Sequence, residues 1–346
     1  MNLSVSEITK NKNMNCVSEL HVETSFRQTN AFTDVQSLQN AALMQLAHAL
    51  KERGYRFTTG TPATHARVNS RRGNEWAHNL EGTFGWSRPF QRGVIPEEIF
   101  ALMQAADLLA PHKDGWRSLM RASTLNNQLF FHSAYPTLEA NAVFFGPDTY
   151  RFVAAIEHYL AVSSAPVHRA VDIGCGAGPG AIVLAYHQPQ AEVLAVDIND
   201  SALRLTTINA TLAGVGNVRP CYSDLLKDVE GTFDLIVANP PYLVDPAQRA
   251  YRHGGGQLGA GLSLDIIDAA LQRLNPGGAL LLYTGAVIIN GIDPFRLVTE
   301  RKLCNAGVRW RYAEIDPDVF GEELSCEAYD GVDRIAALVL TAIRSS

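Results

Sequence analysis

The chain has 346 residues, of which 47% are hydrophobic and 18% charged, with a net charge of −6. That length is comfortable for two domains and that composition supplies a packed core. The acidic balance lacks the broad attraction that nucleic-acid binding uses, and no run reaches the roughly 18–20 apolar residues that span a bilayer, so neither nucleic acid nor membrane is expected as a partner.

Residues 1–33 are polar and aperiodic and are expected to form a disordered tail. Met1 to Asn15 carries no apolar h-region of a secretory signal. From Asp34 to Leu50, apolar residues recur at helical spacing (Val35, Leu38, Ala42, Leu43, Leu46, Leu50), with Asp34 as N-cap and Gly54 as stop. Tyr55 to Gly93 is rich in Thr, Arg, Gly and aromatics and is expected to be loop-rich. Its Trp76, Phe84, Trp86 and Phe90 either bury themselves against the next domain or form an aromatic wall over a cationic ligand. A helix is expected over Pro96–Leu109, and a hairpin between Trp116–Ser123 and Gln128–Ser133. Residues 34–142 are thus a mixed α/β cap. Residues 143–346 form the larger domain, which opens on Val143–Thr149 and a helix running to about Leu160, capped by Asp148 or Thr149.

The chemistry concentrates further on. Ala170–Ile173 reads as a strand, Gly174-Cys175-Gly176-Ala177-Gly178 as a tight turn, and Ala181–Tyr186 as a helix. Glycines there let a ligand lie on bare backbone, and the first N–H groups of the helix face its polar atoms. A second strand, Val193–Val196, ends in Asp197, 25 residues after Asp172. An acid at that place can accept hydrogen bonds from both hydroxyls of a ribose. A helix over Asp200–Ala213, a third strand over Asn217–Tyr222 and a fourth over Phe233–Val237 follow. Directly after the fourth come Asn239-Pro240-Pro241-Tyr242.

With the glycine loop and this tetrapeptide in that order, the chain resembles class I S-adenosylmethionine (SAM) dependent methyltransferases of the Asn-Pro-Pro-Tyr subgroup. Within it, the chain is most similar to the release-factor glutamine methyltransferases and their small-domain relatives, over roughly residues 143–346. The resemblance implies an α/β, Rossmann-like seven-stranded sheet with helices on both faces. Its later elements would be a helix over Leu262–Leu274, a fifth strand over Ala279–Tyr283 after a Pro276-Gly277-Gly278 turn, a helix over Pro294–Leu303, and a closing antiparallel pair near Trp310–Ile315 and Arg334–Leu340. It also implies a SAM-contacting set: Asp172, Gly174, Cys175, Gly176 and Gly178 in the first loop, Asp197 and Ile198 after the second strand, Asp224 and Leu225 after the third, and Asn239. Asp224 would accept from the adenine amine, or simply cap a helix. Phe145 and Pro147 would wall the methyl end. Asn239, Pro240 and Tyr242 would bind the methyl acceptor, the Asn oxygen and the Pro240 carbonyl each accepting one N–H while Tyr242 stacks on a flat group. His253, in the glycine-rich loop 244–261, could be a base, but a loop histidine more often meets backbone or solvent.

The expected activity is N-methylation of an amide or amine in a small metabolite, a peptide or a protein. The alternative is cyclisation of SAM alone, as in azetidine-2-carboxylate synthases, which needs an aromatic cage around the sulfonium and no acceptor channel. Cys16, Cys175, Cys221, Cys304 and Cys326 are scattered with no Cys-x-x-Cys pair. They fit a reduced, cytoplasmic protein, and no metal is expected.

Overall fold

The computed structural model describes residues 35–345; the expected tail and Cys16 lie outside them. The first helix, α1, covers 35–52 and buries Ala42, Leu43, Leu46, Ala47 and Leu50, while Val35 and Leu38 at its start are exposed. Its buried stripe follows the helical period. Lys51 Nζ donates to Leu212 O (3.2 Å) and Arg204 Nε to Asn40 Oδ1 (2.8 Å), tying α1 to the later helix α6 (Asp200–Ala213).

Between these, in a stretch expected to be loop-rich, lies a helix, α2 (Pro62–Asn69). Thr61 caps it by accepting Thr64 N–H at 3.1 Å, and Pro62 takes its first position. A single π-helical turn, Glu81–Gly85, and α3 (Glu97–Ala105) follow. Two hairpins then replace the one expected. β1 (Leu109–His112) pairs with β2 (Gly115–Ser118), and β3 (Met120–Leu125) pairs with β4 (Gln128–Ser133). Asn126 and Asn127 both have positive φ, 50° and 62°, which is the primed two-residue turn that a twisted hairpin favours. Trp116–Ser118 therefore pairs backwards with Leu109–Pro111, not forwards with Gln128–Ser133.

The remainder is a doubly wound sheet in the order β10-β11-β9-β8-β5-β6-β7. Its strands are β5 (Arg169–Ile173), β6 (Glu192–Asp197), β7 (Val218–Tyr222), β8 (Phe233–Ala238), β9 (Leu274–Ile288), β10 (Arg309–Asp316) and β11 (Arg334–Ile343). β7, β6, β5, β8 and β9 run parallel, and β11 pairs antiparallel with both β9 and β10. The expected Pro276-Gly277-Gly278 turn falls within the long β9. Burial on both faces makes the central strands continuous apolar runs. Alternate side chains serve opposite faces. Ala170, Val193, Ala195, Leu235 and Val237 join α4 (Pro147–Val162), α5 (Pro179–His187) and α6, whereas Val171, Ile173, Val196, Ile236 and Ala238 join α7 (Gly261–Arg273) and α8 (Pro294–Asn305).

The first of these cores continues without a break into the preceding residues: Leu43, Leu46, Leu50, Phe84, Phe90, Phe130 and Phe131 belong to it. Each such side chain contributes about 1.5–3 kcal/mol by leaving water. Phe84 and Phe90 are fully buried. Trp86 packs on Phe57 (5.2 Å) and His65 (4.9 Å), and Trp76 meets His112. No helix among the described residues is long and apolar enough to cross a membrane.

Candidate active site

The strand order reverses between β5 and β8, and a crevice opens at the carboxyl ends of the strands there. It is a cavity of about 230 Å³.

The β5–α5 loop forms one side. Gly174 and Cys175 donate their N–H groups to Val196 O (2.8 and 3.0 Å), which stitches the loop to β6. Gly178 sits at φ 83°, and a Cβ there would press on Thr206 at 2.9 Å. Thr206 Oγ1 donates to Gly176 O (3.1 Å), and Asn209 Nδ2 to both Ala177 O (2.8 Å) and Phe131 O (3.1 Å). Helix α6 therefore fixes the glycine loop and the edge of β4 with the same face.

Two acids point at this loop. Asp197 Oδ2 accepts Gly176 N–H and Oδ1 accepts Asn199 N–H, both at 3.0 Å, and burial raises its pKa. Asp172 is 1% exposed. Its Oδ2 accepts Ala181 N–H (2.9 Å), but its Oδ1 is buried with no partner among the described residues, and burial pushes the carboxyl up to about 7. A half-satisfied buried carboxyl on the wall of a cavity suits a cationic or donor ligand. Ile198 and Leu225 complete this wall. Asp224 is exposed at the rim, where its carboxylate accepts Lys227 Nζ and caps no helix.

The β8 end forms the other side. Asn239 lines the cavity half-buried, and neither its side chain nor the Pro240 carbonyl has a hydrogen-bond partner among the described residues. Tyr242 is buried against β9, so that a Cβ at Gly285 would collide with its ring. Its hydroxyl donates to Asp148 Oδ2 at 2.7 Å, and Tyr283 donates to Asp148 Oδ1 at 2.6 Å. Arg151 adds a contact to Asp148 Oδ1 at 3.3 Å. Burial raises the pKa of Asp148 against the pull of these donors, and the pKa of Tyr242 also rises with burial. Gly146, not Asp148 or Thr149, is the N-cap of α4, and Asp148 in its first turn holds the tyrosine of a loop 94 residues on. The Tyr242 hydroxyl is thus committed inward, and the ring presents only part of itself to the cavity.

Loop 243–260 closes over this end. Arg249 grips Asp245 through Nε (2.8 Å) and Nη2 (2.7 Å), holding its pKa down to about 2, and Arg252 pairs with Glu323. Tyr251 donates to Thr137 O (2.7 Å), and Val244 N–H donates to the Tyr329 hydroxyl (2.8 Å). His253 lies outside the cavity wall, and its Nδ1 accepts Asp245 N–H at 3.2 Å.

Eleven of the residues singled out by sequence line one cavity: Asp172, Gly174, Cys175, Gly176, Asp197, Ile198, Asp224, Leu225, Asn239, Pro240 and Tyr242. Gly178, Phe145 and Pro147 do not. Gly178 precedes α5, Pro147 starts α4, and Phe145 is buried on His132 with ring centroids 5.0 Å apart. Its neighbour Phe144 faces the cavity, stacked near Tyr251 at 6.2 Å. Phe152, Tyr251 and Phe320 supply the other aromatic surfaces. None of the four cap aromatics reaches it, so they supply no cage of the kind that cyclisation would need. Asp148, Phe144 and Tyr251 were missed as site residues, because nothing local distinguishes a first-turn acid or a neighbouring aromatic from a cavity wall.

Residues 158–288 match a family described as the methyltransferase small domain. The ribosomal protein uL3 glutamine methyltransferase of Neisseria meningitidis serogroup A is 38% identical over 130 residues, 34% of this chain and 43% of that protein. The release factor glutamine methyltransferase of Deinococcus radiodurans is 38% identical over 167 residues, 45% of this chain and 55% of that one. The 4-amino-L-phenylalanine/4-methylamino-L-phenylalanine methyltransferase of Streptomyces pristinaespiralis is 32% identical over 157 residues, 42% of this chain and 51% of that one. The chain spans about half the length of these relatives.

Proposed function

We propose, from the match of residues 158–288 to the methyltransferase small domain family, that the chain is a SAM-dependent N-methyltransferase acting on an amide or amine nitrogen. One observation carries the reading: the glycine loop, Asp197 and the unengaged Asn239–Pro240 pair open into one cavity from three strand ends. The residues present fit SAM. The orphaned Asp172 Oδ1 suits its ammonium group, the free lone pairs of Asp197 suit its ribose, and the bare glycine backbone admits close approach. Bound there, SAM would supply a methyl carbon whose bond to sulfur breaks, leaving a neutral thioether, as the nitrogen's electron pair forms the new bond and the nitrogen loses one proton to solvent.

The protein's own work is positioning and exclusion of water. Asn239 Oδ1 and the Pro240 carbonyl accept the acceptor's N–H groups and hold its nitrogen. Pro240 and Pro241 have no N–H of their own and stiffen the segment. Asp148 positions Tyr242 from behind. Phe144, Phe152, Tyr251 and Phe320 keep the cavity apolar around the reacting atoms. Residues 34–142 act as a cap on a catalytic domain of residues 143–346, in a reduced, cytoplasmic setting that suits the free cysteines Cys175, Cys221, Cys304 and Cys326. The relatives' names speak of protein glutamine and of an aryl amine, and both are nitrogens that Asn239 and Pro240 could hold.

The test is incubation of the full chain with SAM, alone and with candidate acceptors, and resolution of products by mass spectrometry. S-adenosylhomocysteine that forms only with an acceptor supports the reading. Methylthioadenosine with azetidine-2-carboxylate from SAM alone would overturn it in favour of cyclisation.

A further inference from the structure

A second cavity, about 180 Å³, adjoins the first and shares Phe144, Tyr251 and Arg252 with its wall. Its far side carries His65, Arg121 and Tyr135. Arg121, on β3, is 3% exposed. Its Nε donates to Gly85 O (3.0 Å), and its Nη2 donates to Thr59 Oγ1 (3.1 Å) and His65 Nε2 (2.6 Å). All three acceptors are neutral, and Nη1 makes no hydrogen bond among the described residues. Burial lowers the guanidinium to about 10, so it stays charged at neutral pH. The titratable groups facing it are the phenols of Tyr55, Tyr135 and Tyr150 and the imidazoles of His65 and His132.

No carboxylate pairs with Arg121 among the described residues. The other two arginines of the cavity differ, since Arg249 is closed on Asp245 and Arg252 on Glu323. A buried cation with neutral partners alone is costly, and proteins ordinarily pair such charges. His65 adds a second unfilled donor. Burial and Arg121 press its pKa down to about 3, so it is neutral. With Nε2 accepting from Arg121 its proton sits on Nδ1, a buried atom with no partner among the described residues. Phe144, Phe145, Tyr135 and Tyr251 give the cavity flat walls, and its volume suits one ring with substituents.

We propose that this second cavity takes the anionic end of the methyl acceptor: a small aromatic amine whose carboxylate pairs with Arg121 and His65 while its nitrogen lies at Asn239. The inference rests on the methyltransferase reading above. Arg121 would then serve in specificity, selecting acceptors by a charge-assisted contact through its free Nη1.

The full chain saturated with S-adenosylhomocysteine is titrated calorimetrically with 4-aminobenzoate, with its neutral isostere 4-aminobenzamide, and with inorganic phosphate. The expected result is carboxylate binding at least about tenfold tighter than the amide, because an unpaired buried charge discriminates strongly. That preference should vanish in Arg121→Met, with S-adenosylhomocysteine affinity within about twofold of wild type. Equal affinity for carboxylate and amide, binding of neither, or phosphate binding as tightly as carboxylate would each overturn the proposal. If Arg121→Met does not fold, the wild-type discrimination decides alone. Failure of S-adenosylhomocysteine itself to bind overturns the methyltransferase reading, and this inference with it.

Discussion

The two rims of the cavity are held by different means. The β5–β6 rim is held through the backbone groups of its glycine loop. Gly174 and Cys175 donate to Val196 O, and Asp197 accepts Gly176 N–H only 21 residues away. The β8–β9 rim is fastened by side chains from remote places: Asp148 to Tyr242 and Tyr283, Arg252 to Glu323, Tyr251 to Thr137 and Tyr329 to Val244. The first arrangement suits a ligand that needs close contact with bare backbone. The second suits an acceptor pocket, because side-chain clamps can change without disturbing the glycine loop. On the proposed function, binding of SAM and choice of acceptor are expected to be separable.

The sharpest way to break that separation is Asn239→Ala. We expect turnover to fall by about 100-fold or more, with S-adenosylhomocysteine affinity within about threefold of wild type. Full turnover in steady-state kinetics would remove Asn239 from the mechanism. Asp148→Ala strikes the second rim from behind. It leaves two buried tyrosine hydroxyls without their acceptor and should cost about 3 kcal/mol in urea unfolding, with the acceptor KM rising while SAM affinity holds. A stability loss under about 1 kcal/mol would show that the tyrosines find other partners.

The first rim is sharpened by pH. Asp172 has its pKa raised by burial from 3.8 to about 7. The folded protein therefore holds this proton more tightly than the unfolded chain does. The associated stability is fully present below the unfolded value and is lost as pH rises through about 7. Asp148 and Asp197, also raised by burial, act with the same sign. Asp172→Asn should flatten the decline in Tm between about pH 5 and about pH 7.5; an unchanged slope would count Asp172 out. The smallest effect is expected from Tyr251→Phe, which gives up one hydrogen bond to Thr137 O and should cost about 1 kcal/mol. A change in SAM affinity there would mean that the two rims are coupled after all.

How far the residues could be read in advance follows the same division. The glycine loop, Asp197 and Asn239-Pro240 were legible because each sits within a few residues of a strand end, where apolar runs and punctuation announce the turn. The strand positions and the closing antiparallel pair were legible for the same reason. The hairpins of the cap were half legible. Gln128–Ser133 reads as a strand, but its partner depends on the Asn126–Asn127 turn, and one turn further back the pairing reverses.

The sequence by itself determined the class of sheet, the place of the crevice and the residues at its strand ends, because period, glycine and proline act over a few residues. Only the tertiary structure decided that Phe144 and not Phe145 faces the crevice, that Phe84 and Phe90 are core and not cage, and that Tyr242 turns its hydroxyl to Asp148. Only the tertiary structure left Arg121 buried without a carboxylate among the described residues. These outcomes depend on which surfaces meet across 94 residues in one case and 135 in another, and packing at that range leaves no periodic trace in the chain.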